Sequence, residues 1–248
     1  MTTTNLITST HAIIEGKSFT SFPDIKKGYH GYAKLKIYQQ SDSTSICTGS
    51  LIDKNHILTA AHCFRGFNGE AINLRPIFHA VLGDGSSNEK WIKIKTNKVI
   101  IHESFTDSLD VRLKCQQLSD IAIIELPYSI DTNIYHPVNL PESRLYNIWH
   151  QPATTVGFGF TNPGKTLSNP DFRIGNFVID SRQEFSIKTN EIYTSKLAEG
   201  LSEVEDLFSA SGSRGKTQIC KGDSGGPILT RFNGVTTQHM GLFGVLRL

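Results

Sequence analysis

The sequence contains no apolar run that approaches the length of a membrane span, and it has almost no excess of either charge. A spanning helix needs about 20 consecutive apolar residues, so we expect no membrane partner. The 25 basic and 23 acidic residues leave a formal charge of +2, which gives no electrostatic basis for binding nucleic acid. Residues 1–10 are Thr-rich and polar, and they lack the basic start and apolar stretch of a signal peptide.

Cysteine is scarce, with four residues at positions 47, 63, 115 and 220. No two of them form a CxxC pair, which argues against a structural zinc site. We therefore predict no metal and no cofactor. The composition leaves two alternatives open, namely four reduced thiols in a cytosolic protein or one or two disulfides in a secreted one.

Short alternating or apolar runs dominate the chain, and turn-forming clusters of Gly, Asn, Asp, Ser and Pro separate them. Residues 32–38 alternate with a period of two, and so do residues 91–95. The other predicted strands are 50–52, 79–82, 99–102, 121–126, 153–156, 172–179, 227–230 and 240–245. Many short strands with such punctuation indicate an all-β sandwich or barrel.

One helix is predicted, within residues 195–208. Its apolar residues recur at steps of three or four: Leu197, Leu201, Val204 and Phe208. Acidic residues fall mostly on the other faces, which is typical of a surface helix. Residues 126–144 contain three prolines and indicate an extended connection between two halves of the chain.

The strongest local signal is the string Gly222-Asp223-Ser224-Gly225-Gly226-Pro227. A nucleophilic serine must be exposed on a tight turn, with main-chain N–H groups directed at the developing oxyanion, and glycines permit the backbone angles that this requires. The same string matches the nucleophile elbow of α/β-hydrolases. In that fold an acid and then a histidine follow the serine, but residues 225–248 contain His239 and no Asp or Glu. We therefore reject the α/β-hydrolase fold.

The general base must then lie upstream of Ser224. Among the nine histidines, His62 differs because small residues precede it, in Thr59-Ala60-Ala61, and Cys63 follows it. Asp120 stands at the head of an apolar strand, which would draw it into the interior. A buried carboxylate needs a partner, and an imidazole N–H is a suitable one. Taken alone, Asp120 would more simply be an N-cap or turn residue.

Three motifs in the order His, Asp, Ser, at residues 59–63, 119–124 and 222–227, resemble those of the chymotrypsin-like (trypsin-fold) serine protease family. The framing sequence is similar as well. Cys47-Thr48-Gly49-Ser50 resembles the family's Cys-Gly-Gly-Ser strand, and Val156-Gly157-Phe158-Gly159 resembles its Gly-Trp-Gly segment. The resemblance covers nearly the whole chain.

The resemblance implies an all-β fold of two six-stranded antiparallel β-barrels, with the site in the cleft between them. Residues 13–130 would form the N-terminal barrel with His62 and Asp120, and residues 131–248 the C-terminal barrel with Ser224. The family continues beyond the equivalent of Leu248 through a further strand and a helix. We therefore expect an incomplete second barrel, as in a chain truncated at its C-terminus.

The resemblance also implies a role for each motif. Ser224 would attack a peptide carbonyl, His62 would take and return its proton, and Asp120 would orient His62. The N–H groups of Gly222 and Ser224 would form the oxyanion hole. Gln218, with Ile219 beside it, would lie at the base of the primary specificity pocket. A neutral Gln there does not predict cleavage after Arg or Lys.

Two further expectations come from the resemblance. A disulfide would join Cys47 to Cys63, while a Cys115–Cys220 bond stays an alternative to two free thiols, which we favour. Ile13-Ile14-Glu15-Gly16 resembles the new N-terminus that zymogen cleavage creates, and the amine of Ile13 would then pair with Asp223. An ordinary strand start is the alternative, since Ala12 rather than Arg or Lys precedes this motif.

The predicted function is that of a secreted or periplasmic serine endopeptidase that hydrolyses peptide bonds through an acyl-enzyme. We expect a monomer that acts on protein or peptide substrates and is open to protein protease inhibitors. The alternative is an inactive homologue that serves as a binding module. The end of the chain at Leu248 favours the alternative, as does Gly244 or Arg247 where the family has a supporting Ser. A third possibility, an intracellular β-protein with fortuitous motifs, predicts no Cys47–Cys63 bond.

Overall fold

The computed structural model describes residues 13, 17–18, 31–38, 44–64, 78–82, 92–96, 98–105, 119–140, 148–160, 173–192, 208–212, 217, 219–220, 222–232 and 235–240. Within these ranges the chain forms thirteen strands, one α-helix and a 3-10 turn at Ala61–Phe64. The strands are β1 (Lys17–Ser18), β2 (Tyr32–Tyr38), β3 (Thr44–Leu51), β4 (His56–Thr59), β5 (Phe78–Leu82), β6 (Ile92–Thr96), β7 (Val99–Ile101), β8 (Ala122–Glu125), β9 (Pro152–Gly157), β10 (Arg173–Ile179), β11 (Ala210–Gly212), β12 (Pro227–Phe232) and β13 (Val235–Met240). The helix is α1 (Arg182–Ile192).

The first sheet has seven antiparallel strands in the order β6-β5-β2-β3-β4-β8-β7. Its strand β2 shows why the sequence pattern forms a half-buried strand. Ala33, Leu35 and Ile37 are fully buried, whereas Lys36 on the opposite face is exposed. Successive side chains of a strand point to opposite faces, so the apolar set of β2 joins the core of this sheet, together with Leu51, Ile57 and Ile124.

The second sheet has the order β1-β10-β9-β12-β13, with β11 paired to β10. It begins with β1, whose Lys17 pairs with Ile174, although the strands that follow β1 in the chain belong to the first sheet. One buried cluster contains Tyr32 of the first sheet together with Val156 and Leu229 of the second. The two sheets therefore pack against each other through apolar side chains.

The prediction of an all-β fold is confirmed, and the two antiparallel sheets fit the two expected barrels. The described strands include no pairing that closes either sheet. The strand predicted at 240–245 is seen only at its first residue, where β13 ends, since residues 241–248 lie outside the described ranges. In the part of the chain that the structure covers, no helix is long and apolar enough to span a membrane.

The one described helix lies elsewhere than the sequence predicted. Most of the expected helix, residues 195–207, is outside the described residues, and Phe208 is not helical. The helix α1 comes directly after Ser181, whose hydroxyl accepts the N–H of Glu184 at 3.0 Å. The Glu184 carboxylate accepts the N–H of Ser181 at 2.7 Å in return. This capping box fixes the start of α1, and its hydrogen bonds lower the pKa of Glu184.

Candidate active site

His62 and Asp120 are joined by two hydrogen bonds, although 58 residues separate them. Asp120 Oδ2 lies 2.6 Å from His62 Nδ1, and Asp120 Oδ1 accepts the main-chain N–H of His62 at 2.7 Å. Asp120 is fully buried, whereas the His62 side chain keeps 21% of its surface exposed. The carboxylate is therefore held from two sides while the ring stays accessible.

Strand pairing explains how the two residues meet. Strands β4 and β8 are antiparallel neighbours, and Thr59 at the end of β4 pairs with Ala122 at the start of β8. His62 follows β4 in the turn Ala61–Phe64, and Asp120 precedes β8. The small side chains of Ala60 and Ala61 are buried, which lets this turn pack closely against the strand ends.

A disulfide between Cys47 and Cys63 anchors the turn that carries His62. Its Cα atoms lie 6.3 Å apart, and it ties the turn to β3. Cys47, Cys63 and His62 also place potential ligand atoms within 4.8 Å of one another. Because both sulfurs are in the disulfide, they offer no thiolate of the kind that binds zinc. This group is therefore structural support for the imidazole.

The Ser224 turn packs against β3 and the end of β4. The Ser224 carbonyl accepts the N–H of Thr48 at 2.8 Å. Gly222 and Gly225 have φ angles of 99° and 78°, which favour glycine over other residues. A Cβ on Gly225 would lie 2.1 Å from Thr59 Oγ1 and 2.9 Å from Ala60 N. The turn thus meets the strand end that leads into His62.

The Ser224 main chain also approaches the residue after the imidazole, since the Sγ of Cys63 lies 3.9 Å from the Ser224 carbonyl oxygen. Within the described residues, the Ser224 hydroxyl makes no hydrogen bond to the His62 ring. Such bonds are often long in free enzymes and shorten when substrate binds. The structure therefore pairs His62 with Asp120 directly and brings the Ser224 turn beside them.

Asp223 is a buried carboxyl group next to Ser224. Its Oδ1 accepts the N–H of Gly159 and its Oδ2 accepts the N–H of Cys220, each at 2.8 Å. A Cβ on Gly157 would lie 2.0 Å from Asp223 Oδ1 and one on Gly159 would lie 2.6 Å from it, so both glycines make room for the carboxyl. Burial raises the pKa of Asp223 to about 7, against the lowering effect of the two N–H donors.

Comparison with known proteins identifies the family. Residues 26–244 match the Trypsin family. The chain belongs to the trypsin family. Among its relatives, a collagenase of Hypoderma lineatum is 29% identical over 217 residues, which are 83% of this chain and 71% of the relative.

Two other relatives are matched over smaller parts of their length. A chymotrypsin of Phaedon cochleariae is 26% identical over 80% of this chain and 64% of its own length. A urokinase-type plasminogen activator of Gallus gallus is 27% identical over 81% of this chain and 44% of its own length. The chain therefore spans less than two thirds of both of these proteins.

The residues predicted for the activation pair, the specificity pocket and the remaining cysteines of this trypsin-family chain lie partly within the described residues. Ile13 is fully buried in a cluster with Phe177, Ile179 and Ile228. Ile219 is partly buried against the same cluster. Gln218 and Cys115 lie outside the described residues, and Cys220 is buried.

One residue that the sequence did not single out is Thr48. It is fully buried on β3, and both its main chain and its hydroxyl contact the Ser224 turn. The available signal was its position directly after Cys47, where the family's Cys-Gly-Gly-Ser strand has Gly.

Proposed function

We propose that the chain is a serine endopeptidase that hydrolyses peptide bonds through an acyl-enzyme on Ser224. The observation that carries this proposal is the His62–Asp120 pair beside the glycine-rich turn of Ser224, in a member of the trypsin family. A buried carboxylate with a partly exposed imidazole and an adjacent serine is the arrangement that activates a hydroxyl for attack on a carbonyl.

Asp120 orients the imidazole of His62, the general base. Its Oδ2 accepts a hydrogen bond from the Nδ1–H of His62 at 2.6 Å, so the other ring nitrogen, Nε2, is left to accept the proton of Ser224. Its Oδ1 is held by the main-chain N–H of His62, which prevents the carboxylate from turning away. The Nε2 proton is then given to the leaving amine, and water repeats the cycle on the acyl-enzyme.

The developing oxyanion would be bound by the N–H groups of Gly222 and Ser224. Gly222, with its positive φ, lets the chain turn there so that its own N–H and that of Ser224 can face one point, while the Asp223 N–H between them donates to the Cys220 carbonyl. Loss of one such donor lowers kcat by about 100- to 1,000-fold in a serine protease of another fold. The turn is therefore the second part of the proposed catalytic machinery.

We also propose that cleavage before Ile13 activates the chain. Asp223 is buried, and among the described residues it forms no salt bridge and is held by main-chain N–H groups. Ile13 is buried against side chains of β9, β10 and β12 in the second sheet. A new ammonium on Ile13 would provide the missing counter-charge, and its pairing with Asp223 would fix the Ser224 turn.

The substrates we propose are proteins or peptides, in line with the names of the relatives, which include a collagenase and a plasminogen activator. The specificity pocket would include Gln218 and Ile219, and a neutral base there does not select Arg or Lys. The Cys47–Cys63 disulfide supports a secreted or periplasmic location. Residues 13–130 and 131–248 would form the two domains on either side of the site, with Ile13 and β1 of the first segment packed on the sheet of the second.

The test is labelling with a fluorophosphonate, which reacts with an activated serine. Replacing residues 8–12 with an enteropeptidase recognition sequence allows the full chain to be cut before Ile13. The cut chain should carry the adduct at Ser224 by peptide mapping and should hydrolyse labelled casein. Ser224→Ala should remove both signals, and Asp120→Asn should lower kcat by about 10,000-fold.

The matched control is Ser129→Ala, because Ser129 is an exposed serine bonded to Asn55, and this variant should label like the parent. A folded, cut chain without an adduct at Ser224 would contradict the proposal and would favour the non-catalytic binding module.

A further inference from the structure

Thr48 connects three segments of the site through four hydrogen bonds. Its N–H donates to the Ser224 carbonyl at 2.8 Å, and its own carbonyl accepts the Thr59 hydroxyl at 2.8 Å. Its hydroxyl donates to the Gly222 carbonyl at 3.0 Å and accepts the N–H of Phe158 at 3.1 Å. Thr48 is fully buried, so no water competes for these bonds.

The direction of the hydroxyl proton follows from these partners. The Phe158 N–H can only donate, so the Thr48 oxygen acts as its acceptor. The hydroxyl proton is then free to point to the Gly222 carbonyl, which can only accept. The Thr48 hydroxyl therefore links the segment after β9 to the Ser224 turn through two consecutive hydrogen bonds, and each of these bonds polarises the other.

The Gly222 carbonyl belongs to the peptide unit between Gly222 and Asp223. At the other end of this unit, the Asp223 N–H donates to the Cys220 carbonyl at 3.0 Å. The unit is thus held at both ends, and it lies between the two N–H groups proposed for the oxyanion hole, those of Gly222 and Ser224. Gly222 has no Cβ to restrict its φ and ψ, so the angles at this residue depend on such outside contacts.

We propose that the Thr48 hydroxyl is a positioning group for the oxyanion hole of this chain, because it fixes the rotation of the Gly222–Asp223 peptide unit. The inference rests on the proposed function and goes beyond it. The family's Cys-Gly-Gly-Ser strand has Gly where this chain has Thr48, and a glycine has no side chain that could bind the Gly222 carbonyl. Thr48 touches no reacting atom in this scheme. It acts through the turn, so its loss weakens binding of the transition state more than binding of the substrate.

The test compares Thr48→Val with Thr155→Val in the chain cut before Ile13. Valine keeps the shape of threonine and removes the hydroxyl. Thr155 is a matched control because it is also buried and its hydroxyl also donates to a main-chain carbonyl, that of Pro227, at 2.7 Å, with no hydrogen bond to residues 222–224. Both variants should lose stability in urea unfolding, and Thr48→Val should lose more, because the Thr48 hydroxyl has two main-chain partners and that of Thr155 has one.

In Thr48→Val we expect kcat for a p-nitrophenyl ester to fall by at least about 10-fold, but by less than the roughly 100-fold that follows the loss of a whole oxyanion-hole donor. The KM should stay within about twofold of the parent value. Thr155→Val should keep kcat, and Thr48→Ser should restore it. If Thr48→Val does not fold, Thr48→Ala provides the same comparison with a smaller side chain. A folded hydroxyl-free variant with parental kcat, or an equal loss in Thr155→Val, overturns the inference.

A second measurement separates this inference from the proposed function. Amide hydrogen exchange at Phe158 and Asp223 should become faster in Thr48→Val than in Thr155→Val, whether or not the chain turns over substrate. Unchanged exchange at these two amides overturns the positioning role. Absence of fluorophosphonate labelling in the parent chain, with exchange altered as expected, overturns the proposed activity alone.

Discussion

Replacement of Asp223 by Asn should remove a large pH dependence of stability from the uncut chain. Burial raises the pKa of Asp223 to about 7, from an ordinary value of 3.8 for an aspartic acid. The folded state therefore binds a proton between about pH 4 and pH 7 that the unfolded state has released, and stability falls as the pH rises through this range. The protonated Asp223 carboxyl makes its full contribution to the free energy of unfolding below about pH 4, and this contribution is lost above about pH 7.

The size of the effect follows from the pKa difference. About 3 pH units at about 1.4 kcal/mol each correspond to about 4 kcal/mol of unfolding free energy. At low pH the Asn variant should be less stable than the parent, because an amide has one oxygen where the carboxyl group has two, and one of the N–H groups of Gly159 and Cys220 loses its acceptor. As the pH rises, this difference should shrink and then change sign.

The assay is urea unfolding of both chains at half-unit steps from pH 4 to pH 8. The difference between the two free energies should change by up to about 1.4 kcal/mol per pH unit near the middle of the range. Other titrating groups contribute equally to both chains and cancel. Asp131→Asn, which alters an exposed turn carboxylate, is the control and should run parallel to the parent. Parallel curves for Asp223→Asn as well would refute the reasoning.

Two further predictions concern the scaffold. Replacing Cys47 and Cys63 by Ser opens a loop of sequence separation 16, so the unfolding free energy should drop by about 3 kcal/mol. A loss below about 1 kcal/mol in urea titrations would contradict the loop-entropy argument. Ser181→Ala removes the acceptor for the Glu184 N–H at the start of α1, so it should cost about 1 kcal/mol in the same titration, while Ser129→Ala, at an exposed position outside any helix, should cost almost nothing.

The sequence predicted strands best where a strong alternation reaches the core. Strand β2 covers the predicted residues 32–38, because three apolar side chains on one face enter the core while lysines face outward. Strand β4, at His56–Thr59, was not predicted. It is short, and its assignment depends on pairing with β3 and β8 on either side, which is information from distant parts of the chain.

The helix shows the limit of periodicity. The amphipathic pattern within 195–208 attracted the prediction, whereas α1 carries few apolar residues and gives a weak periodic signal. The informative feature was local, namely Ser181 followed three residues later by Glu184, which forms a reciprocal cap. Caps fix where a helix starts, so they reveal helices that a hydrophobic pattern does not.

For the site, the sequence supplied the residue types but not the connections between them. His62 and Asp120 were chosen from their neighbours, and the hydrogen bonds between them depend on the pairing of β4 with β8. Nothing in the sequence near Thr48 indicates that its hydroxyl binds the Gly222 carbonyl, because the two residues meet only when both sheets are assembled. Contacts of this kind depend on tertiary structure, so sequence motifs do not predict them.

The pairing of β1 with β10 has a consequence for the order in which the chain folds. The described strands of the first sheet all lie between residues 32 and 125, so we expect them to pair early during synthesis. The strand β1 leaves the ribosome before any of them, but its partner β10 begins only at Arg173. Contacts between such distant segments form slowly. We therefore expect the N-terminal strand to dock as a late event, once the second sheet has been translated.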